Sequence, residues 1–256
     1  MMHAELIKLR RSALPWVVGG LCVLLDVLLF ATYAASDSSV FEAGLLPFGQ
    51  VVSLFLGSFI ALVNVVPAVL IGSYVGARDY SNRTAGSEVH RGGRYRPLLG
   101  KILATVVALC ALVLATGVLG LLLGLAHDTD VAHVDTVRLL QQLAIAMAST
   151  AMLGLLALTV ATLARSLAAA SLTTLAALLG QMFLPPDAGQ VVRFLNPLTF
   201  LGGAAESAFS NLAGLTNFSV TFGSELSVGQ SIVGLLGYVV CCLATLALVA
   251  RFREYR

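Results

Sequence analysis

Apolar residues fall into six long, charge-poor stretches along the chain, at about 14–35, 51–77, 102–126, 139–164, 167–184 and 227–250. Most reach the roughly 20 residues that a helix needs to cross a hydrocarbon core of about 30 Å. The pattern predicts an all-α membrane protein with six transmembrane helices in a single domain over 1–256. Arg165 and its neighbours are all that separate the fourth stretch from the fifth, so these two form a tight helical hairpin. Ahead of the first stretch, Ala4-Glu5-Leu6-Ile7-Lys8-Leu9-Arg10-Arg11 sets apolar side chains among charges. Over 2–12 it reads either as an interfacial amphipathic helix or as a simple basic anchor. The outer segment 185–225 is too apolar for a free loop, and predicts short helices or a re-entrant turn that cap the bundle.

Composition sharpens this picture. The 256 residues are 58% hydrophobic and 11% charged, with a mean hydropathy of +0.93, where a soluble domain carries about 25% charge. A soluble globular domain, a disordered chain and a collagen are excluded, and four cysteines are too few for a disulfide scaffold. Basic residues set the orientation, because short Lys- and Arg-bearing flanks stay cytoplasmic. With both termini inside, only Arg138 and Arg193 of the 15 basic residues fall outside, whereas Asp37, Glu42, Asp128, Asp130, Asp135, Asp187, Glu206 and Glu225 all do. A cleaved signal peptide ending near Ala35 competes for the start of the chain. The apolar run there is longer than the usual 7–15 residues and five more stretches follow, so retention as a span is the expectation. Cys22, Cys110, Cys241 and Cys242 all lie within predicted spans and read as packing residues.

Several chemistries lack their residues. His3, His90, His127 and His133 fall outside the spans, which removes the base of an intramembrane serine hydrolase and the ligands of a zinc site. Gly100-Lys101 is followed by Ile102 and lacks the upstream glycine of a phosphate-binding loop. The chain is therefore expected to be no enzyme and to hold no cofactor; any ATP and Mg would be bound by another polypeptide.

Two kinds of residue carry functional information. The cytoplasmic segment 78–101 has six basic residues, Lys101 included, against two acidic, and interleaves Tyr80 and Tyr95. It reads as a docking surface for an acidic partner or lipid headgroups, or as a solvated topology signal; nucleic acid is disfavoured. Within the spans, Asp26 sits where a charge costs at least about 2.5 kcal/mol, so it must face the interior, be protonated or pair. Asn64, with Pro67 close behind, marks a kink and a polar wall position, and Gln181 beside Met182 and Phe183 plays a similar part. Gly120 and Gly124 form a small-residue contact face.

In this order, the landmarks resemble the ABC-2 type permeases, the membrane subunits of bacterial ATP-binding cassette exporters, along the whole chain. Glu5-x-x-Lys8 is similar to the start of that family's amphipathic helix. Asp79-Tyr80, Thr84, Arg91 or Arg94, and Lys101 look like its segment between the second and third spans, although Arg83 stands where the family often has Gly. Phe194-Leu195-Asn196-Pro197-Leu198-Thr199-Phe200 is similar to an Asn-Pro-Leu-Thr phrase found after the family's fifth span.

The resemblance implies a multi-pass protein of the bacterial plasma membrane, paired with a second permease subunit and two cytoplasmic ATPases. Arg78, Asp79, Tyr80, Arg83, Thr84, Glu88, Arg91 and Arg94 would couple to the ATPases. Asn64, Gln181, Met182, Phe183 and Asp26 would line the path of an amphipathic, peptide, antibiotic or lipid-like cargo. Phe194, Asn196, Pro197 and Phe200 would belong to an outer gate. Two other classes compete: an ATP-independent transporter or channel using Asp26, and a structural anchor for a cytoplasmic complex. The first would favour internal repeats, which the chain does not show.

Overall fold

The computed structural model describes residues 2–36, 52, 55–56, 62–81, 95–127, 136–180 and 228–252. Among them are seven helices and no strand: α1 (Met2–Arg11), α2 (Ala13–Ser36), α3 (Leu62–Ser81), α4 (Tyr95–His127), α5 (Thr136–Ala164), α6 (Leu167–Gly180) and α7 (Val228–Phe252). Tyr95–Leu123, Thr136–Ala164 and Ile232–Phe252 are each long and apolar enough to cross a membrane, and α1 with α2 passes the same test as a bent pair. The described apolar part of α6, Leu167–Leu178, is shorter than a span. The rest of the predicted fifth stretch lies outside the described residues, as do most of 51–61 and all of the predicted cap 185–225.

The start of the chain is a helix of its own. α1 meets α2 at 72° across Ser12, so it lies across the axis of the following span rather than along it. Ser12 Oγ donates to the Leu9 carbonyl at 2.9 Å, and Trp16 Nε1 reaches back across the bend to the Arg10 carbonyl at 2.9 Å. Pro15 is tolerated because the first turn of α2 leaves its N–H groups without intrahelical partners. One face of α1 is buried through Leu9, which packs in a cluster with Leu98 of α4 and Ala250 of α7. The first and last described helices therefore meet at one end of the bundle.

α5 is the centre. Of its spanning stretch 56% is buried, against 28% for α4 and 11% for α7. Its sequence explains this, since Ala146, Ser149, Thr150, Gly154, Ala157 and Ala161 let neighbouring backbones come close. α3 uses that closeness most. A Cβ at Gly72 would overlap the Gly154 carbonyl, and one at Gly76 would lie 2.7 Å from both Ala161 Cβ and the Leu158 carbonyl. Gly120, singled out in the sequence, is also in a tight contact, with the Phe55 side chain 3.0 Å from an added Cβ, but there the obstacle is a side chain rather than a backbone. α3 runs unbroken through Pro67 and on to Ser81, so Arg78, Asp79 and Tyr80 are helical. α4 likewise begins before its apolar run, at Tyr95, with Pro97 in the first turn where its missing N–H is harmless.

Candidate functional site

Four parts of the chain converge at the end of the bundle where α3 finishes and α4 starts. Asp79, in the last turn of α3, is 3% exposed. Lys101 Nζ, from α4, stands 2.7 Å from its Oδ2, and Lys8 Nζ, from α1, stands 3.6 Å from its Oδ1. Lys8 also donates to Glu5 Oε1 at 2.6 Å, one turn back on α1. Burial alone would push the Asp79 carboxyl up; the nearby Lys101, Lys8 and Arg78 charges outweigh it and hold the carboxyl below its usual 3.8. Asp79 is thus a fixed anion joining three helices.

Tyr80 extends the cluster to a fourth element. Lys101 Nζ lies 5.6 Å from the centre of its ring and the Arg165 guanidinium 5.4 Å, both within cation–π range. Arg165 occupies the turn between α5 and α6 with φ 55°, the left-handed conformation usually left to glycine. That conformation ends α5: the Arg165 N–H donates to the Ala161 carbonyl at 2.8 Å, and Ser166 Oγ accepts from the Ala169 N–H at 3.4 Å to start α6. Nearby, the Arg78 guanidinium covers the ring of Tyr74 at 5.5 Å. The result is a cross-brace in which α1, the end of α3, the start of α4 and the α5–α6 turn share charges.

Of the coupling residues named from the sequence, Arg78, Asp79 and Tyr80 are brought together here. Arg83, Thr84, Glu88, Arg91 and Arg94 lie outside the described residues. The sequence pointed to Glu5, Lys8 and Lys101 as separate landmarks, and the structure joins them around one carboxylate. It did not point to Arg165 as a member. The signal for it was only its position in the shortest break between two apolar stretches.

Asp26 stands apart from this cluster, 2% exposed in α2, with Cys22 Sγ donating to its Oδ2 at 3.9 Å. It faces the protein interior. Asn64 belongs to α3, but its side chain lies outside the described residues, as do Gln181, Met182, Phe183, Phe194, Asn196, Pro197 and Phe200. Among the described residues, no group of three or more His, Cys, Asp or Glu could hold a metal ion.

Long apolar helices around a central α5, with charges gathered at one end, define a helical membrane-embedded protein. Comparison with known proteins finds no family model, curated protein or solved structure that matches the chain.

Proposed function

We propose that the chain is the six-span membrane subunit of a bacterial exporter of the ABC-2 type, without catalysis of its own. It would pair with a second permease subunit and two cytoplasmic ATPases, and move an amphipathic, peptide, antibiotic or lipid-like compound. One observation carries the reading: Glu5, Lys8, Asp79, Tyr80 and Lys101, through which the sequence resembles that family, gather into a single cluster.

The cluster suits the transfer of motion. A displacement of the segment after Ser81 reaches α3 through Asp79 and Tyr80, α4 through Lys101, α1 through Lys8 and the α5–α6 turn through Arg165. Asp79 is too buried to touch another protein, so it acts as a positioning residue, and contact with an ATPase falls to Arg83, Thr84, Glu88, Arg91 and Arg94. ATP must still favour one arrangement of the spans over another by differential contacts. In this reading Asn64, Gln181, Met182, Phe183 and Asp26 line the path, and Phe194, Asn196, Pro197 and Phe200 form the outer gate.

The test is purification in mild detergent with proteins encoded beside it, followed by an ATPase assay. A complex with an ATP-hydrolysing partner is expected, lost on charge reversal of Arg91 and Arg94. A chain that purifies alone and moves solute across liposomes without ATP overturns the reading. The burial of Asp26 beside Cys22 then favours the second one, an ATP-independent transporter or channel.

A further inference from the structure

Nine Ser and Thr side chains are buried among the described residues. Seven of them, Thr105, Thr116, Ser149, Thr150, Thr159, Thr162 and Ser171, donate to a carbonyl three or four residues back on their own helix. A hydroxyl inside an apolar bundle commonly satisfies itself in this way. Ser73 of α3 and Thr174 of α6 depart from it: their oxygens have no hydrogen-bond partner, although the residues are 0% and 2% exposed.

The two exceptions share one level of one seam. α3 and α6 are antiparallel, since Tyr80 near the end of α3 meets Arg165 just before α6. Ala77 and Ala170 belong to one packed cluster, and Val69 and Leu178 to another. Ser73 is one turn from both Ala77 and Val69, and Thr174 is one turn from both Ala170 and Leu178. The register therefore places Ser73 and Thr174 at the same level of the two helices. From α5, Ala161 belongs to the first of these clusters and Leu153 to the second, so Ala157, midway between them, supplies the third side chain of the level. The layer has three small side chains, two of which carry hydroxyls that make no bond to their own backbones.

We propose that Ser73 and Thr174 together bind a single water molecule in the seam between α3 and α6. Each hydroxyl offers one donor and two acceptor positions, and a buried water commonly makes about three hydrogen bonds. The carbonyls of Val69 and Ala170 lie one turn back on either helix, and the lone pair that each has beyond its helix hydrogen bond, taken by no hydroxyl here, supplies the third contact. The proposal stands whether or not the chain works with an ATPase. It also distinguishes the two faces of α3: the Gly72–Gly154 contact is backbone against backbone, whereas the α6 contact at this level runs through an exchangeable water. α6 is then the neighbour from which α3 can part without stranding a polar group.

The full chain in detergent tests this with Ser73→Ala, Thr174→Val and the double variant. A shared water predicts that each single change lowers the melting midpoint by about 2–4 °C, because the remaining hydroxyl loses its bridge. The double variant should lose much less than the sum of the two single losses. If each single change instead raises the midpoint, the hydroxyls are unsatisfied and hold no water; additive effects overturn the proposal as well. A density map of the unaltered chain that shows ordered water gives a readout without variants. A peak within hydrogen-bonding distance of both oxygens is expected there, and bonds from Ser73 to the Val69 carbonyl and from Thr174 to the Ala170 carbonyl exclude it.

Discussion

Asp79 concentrates the electrostatics of one end of the bundle, and its surroundings make opposite changes unequal. Replacing Lys101 by Met leaves a buried carboxylate with only the more distant Lys8 and its helix neighbour Arg78, which should cost about 3–5 kcal/mol. Replacing Asp79 by Asn in the same chain should recover much of that loss, so a double-mutant cycle on melting temperature checks the pair. Acid should act on the same site. Because the Asp79 carboxyl is held below its usual 3.8 in the folded chain, its stabilisation is fully present above that value and is lost as pH falls through the lower folded value. Melting of the wild type should therefore fall on acidification below about pH 4, and Asp79→Asn should flatten that part of the profile. An unchanged slope in Asp79→Asn would show that other carboxyls dominate. The residues of this cluster were legible in the sequence as charges at the ends of apolar runs, but their convergence was not. Glu5, Lys101 and Arg165 lie far apart in sequence, and no local pattern records which helix ends will meet.

At the scale of the helix, spacing decides what can pack. Gly72 and Gly76 are four residues apart, and both face the backbone of α5, with no room for a side chain. Gly72→Val should be strongly destabilising, by about 1–3 kcal/mol or more, since the obstructing atoms are the Gly154 backbone rather than a movable side chain. Gly237→Ala is the contrast, because nothing lies within 4 Å of its added Cβ. In mid-helix it should stabilise by up to about 1 kcal/mol. Thermal unfolding of both variants in one detergent checks the pair, and equal effects would refute the packing account. The apolar runs foretold these helices because membrane helices are specified by length and hydropathy. They did not rank the contacts: Gly120-x-x-x-Gly124 and Gly72-x-x-x-Gly76 have the same spacing, and only the neighbour met, the Phe55 side chain at Gly120 and the Gly154 backbone at Gly72, separates them. Helix ends strayed for a related reason. The extension of α3 to Ser81 and of α4 back to Tyr95 adds polar turns that an apolar count leaves out, and those turns carry Asp79 and Tyr80.

The whole molecule has two unlike ends, and the helix directions explain why. Leu9 and Ala250 share a cluster, Asp79 meets Lys8 and Lys101, and Tyr80 meets Arg165. The end of α1, the end of α3, the start of α4, the α5–α6 turn and the end of α7 thus lie together, with most of the described basic residues among them. The start of α5 is far from that end, because its 29 residues rise about 43 Å at 1.5 Å each, more than a hydrocarbon core is thick. Lys and Arg in short flanks are kept on the cytoplasmic side, so the crowded basic end should be cytoplasmic and the start of α5 external. Single cysteines at Arg10, Ser166 and Thr136, in a chain with its four native cysteines replaced, test this with an impermeant maleimide on intact cells. Thr136→Cys should react at once, whereas Arg10→Cys and Ser166→Cys should react only after permeabilisation. Reaction of Thr136→Cys and Ser166→Cys from the same side would mean that α5 does not span the membrane. Reversal of all three would keep the fold and invert its orientation, so the Asp79 cluster would face away from any cytoplasmic ATPase and the proposed coupling could not operate.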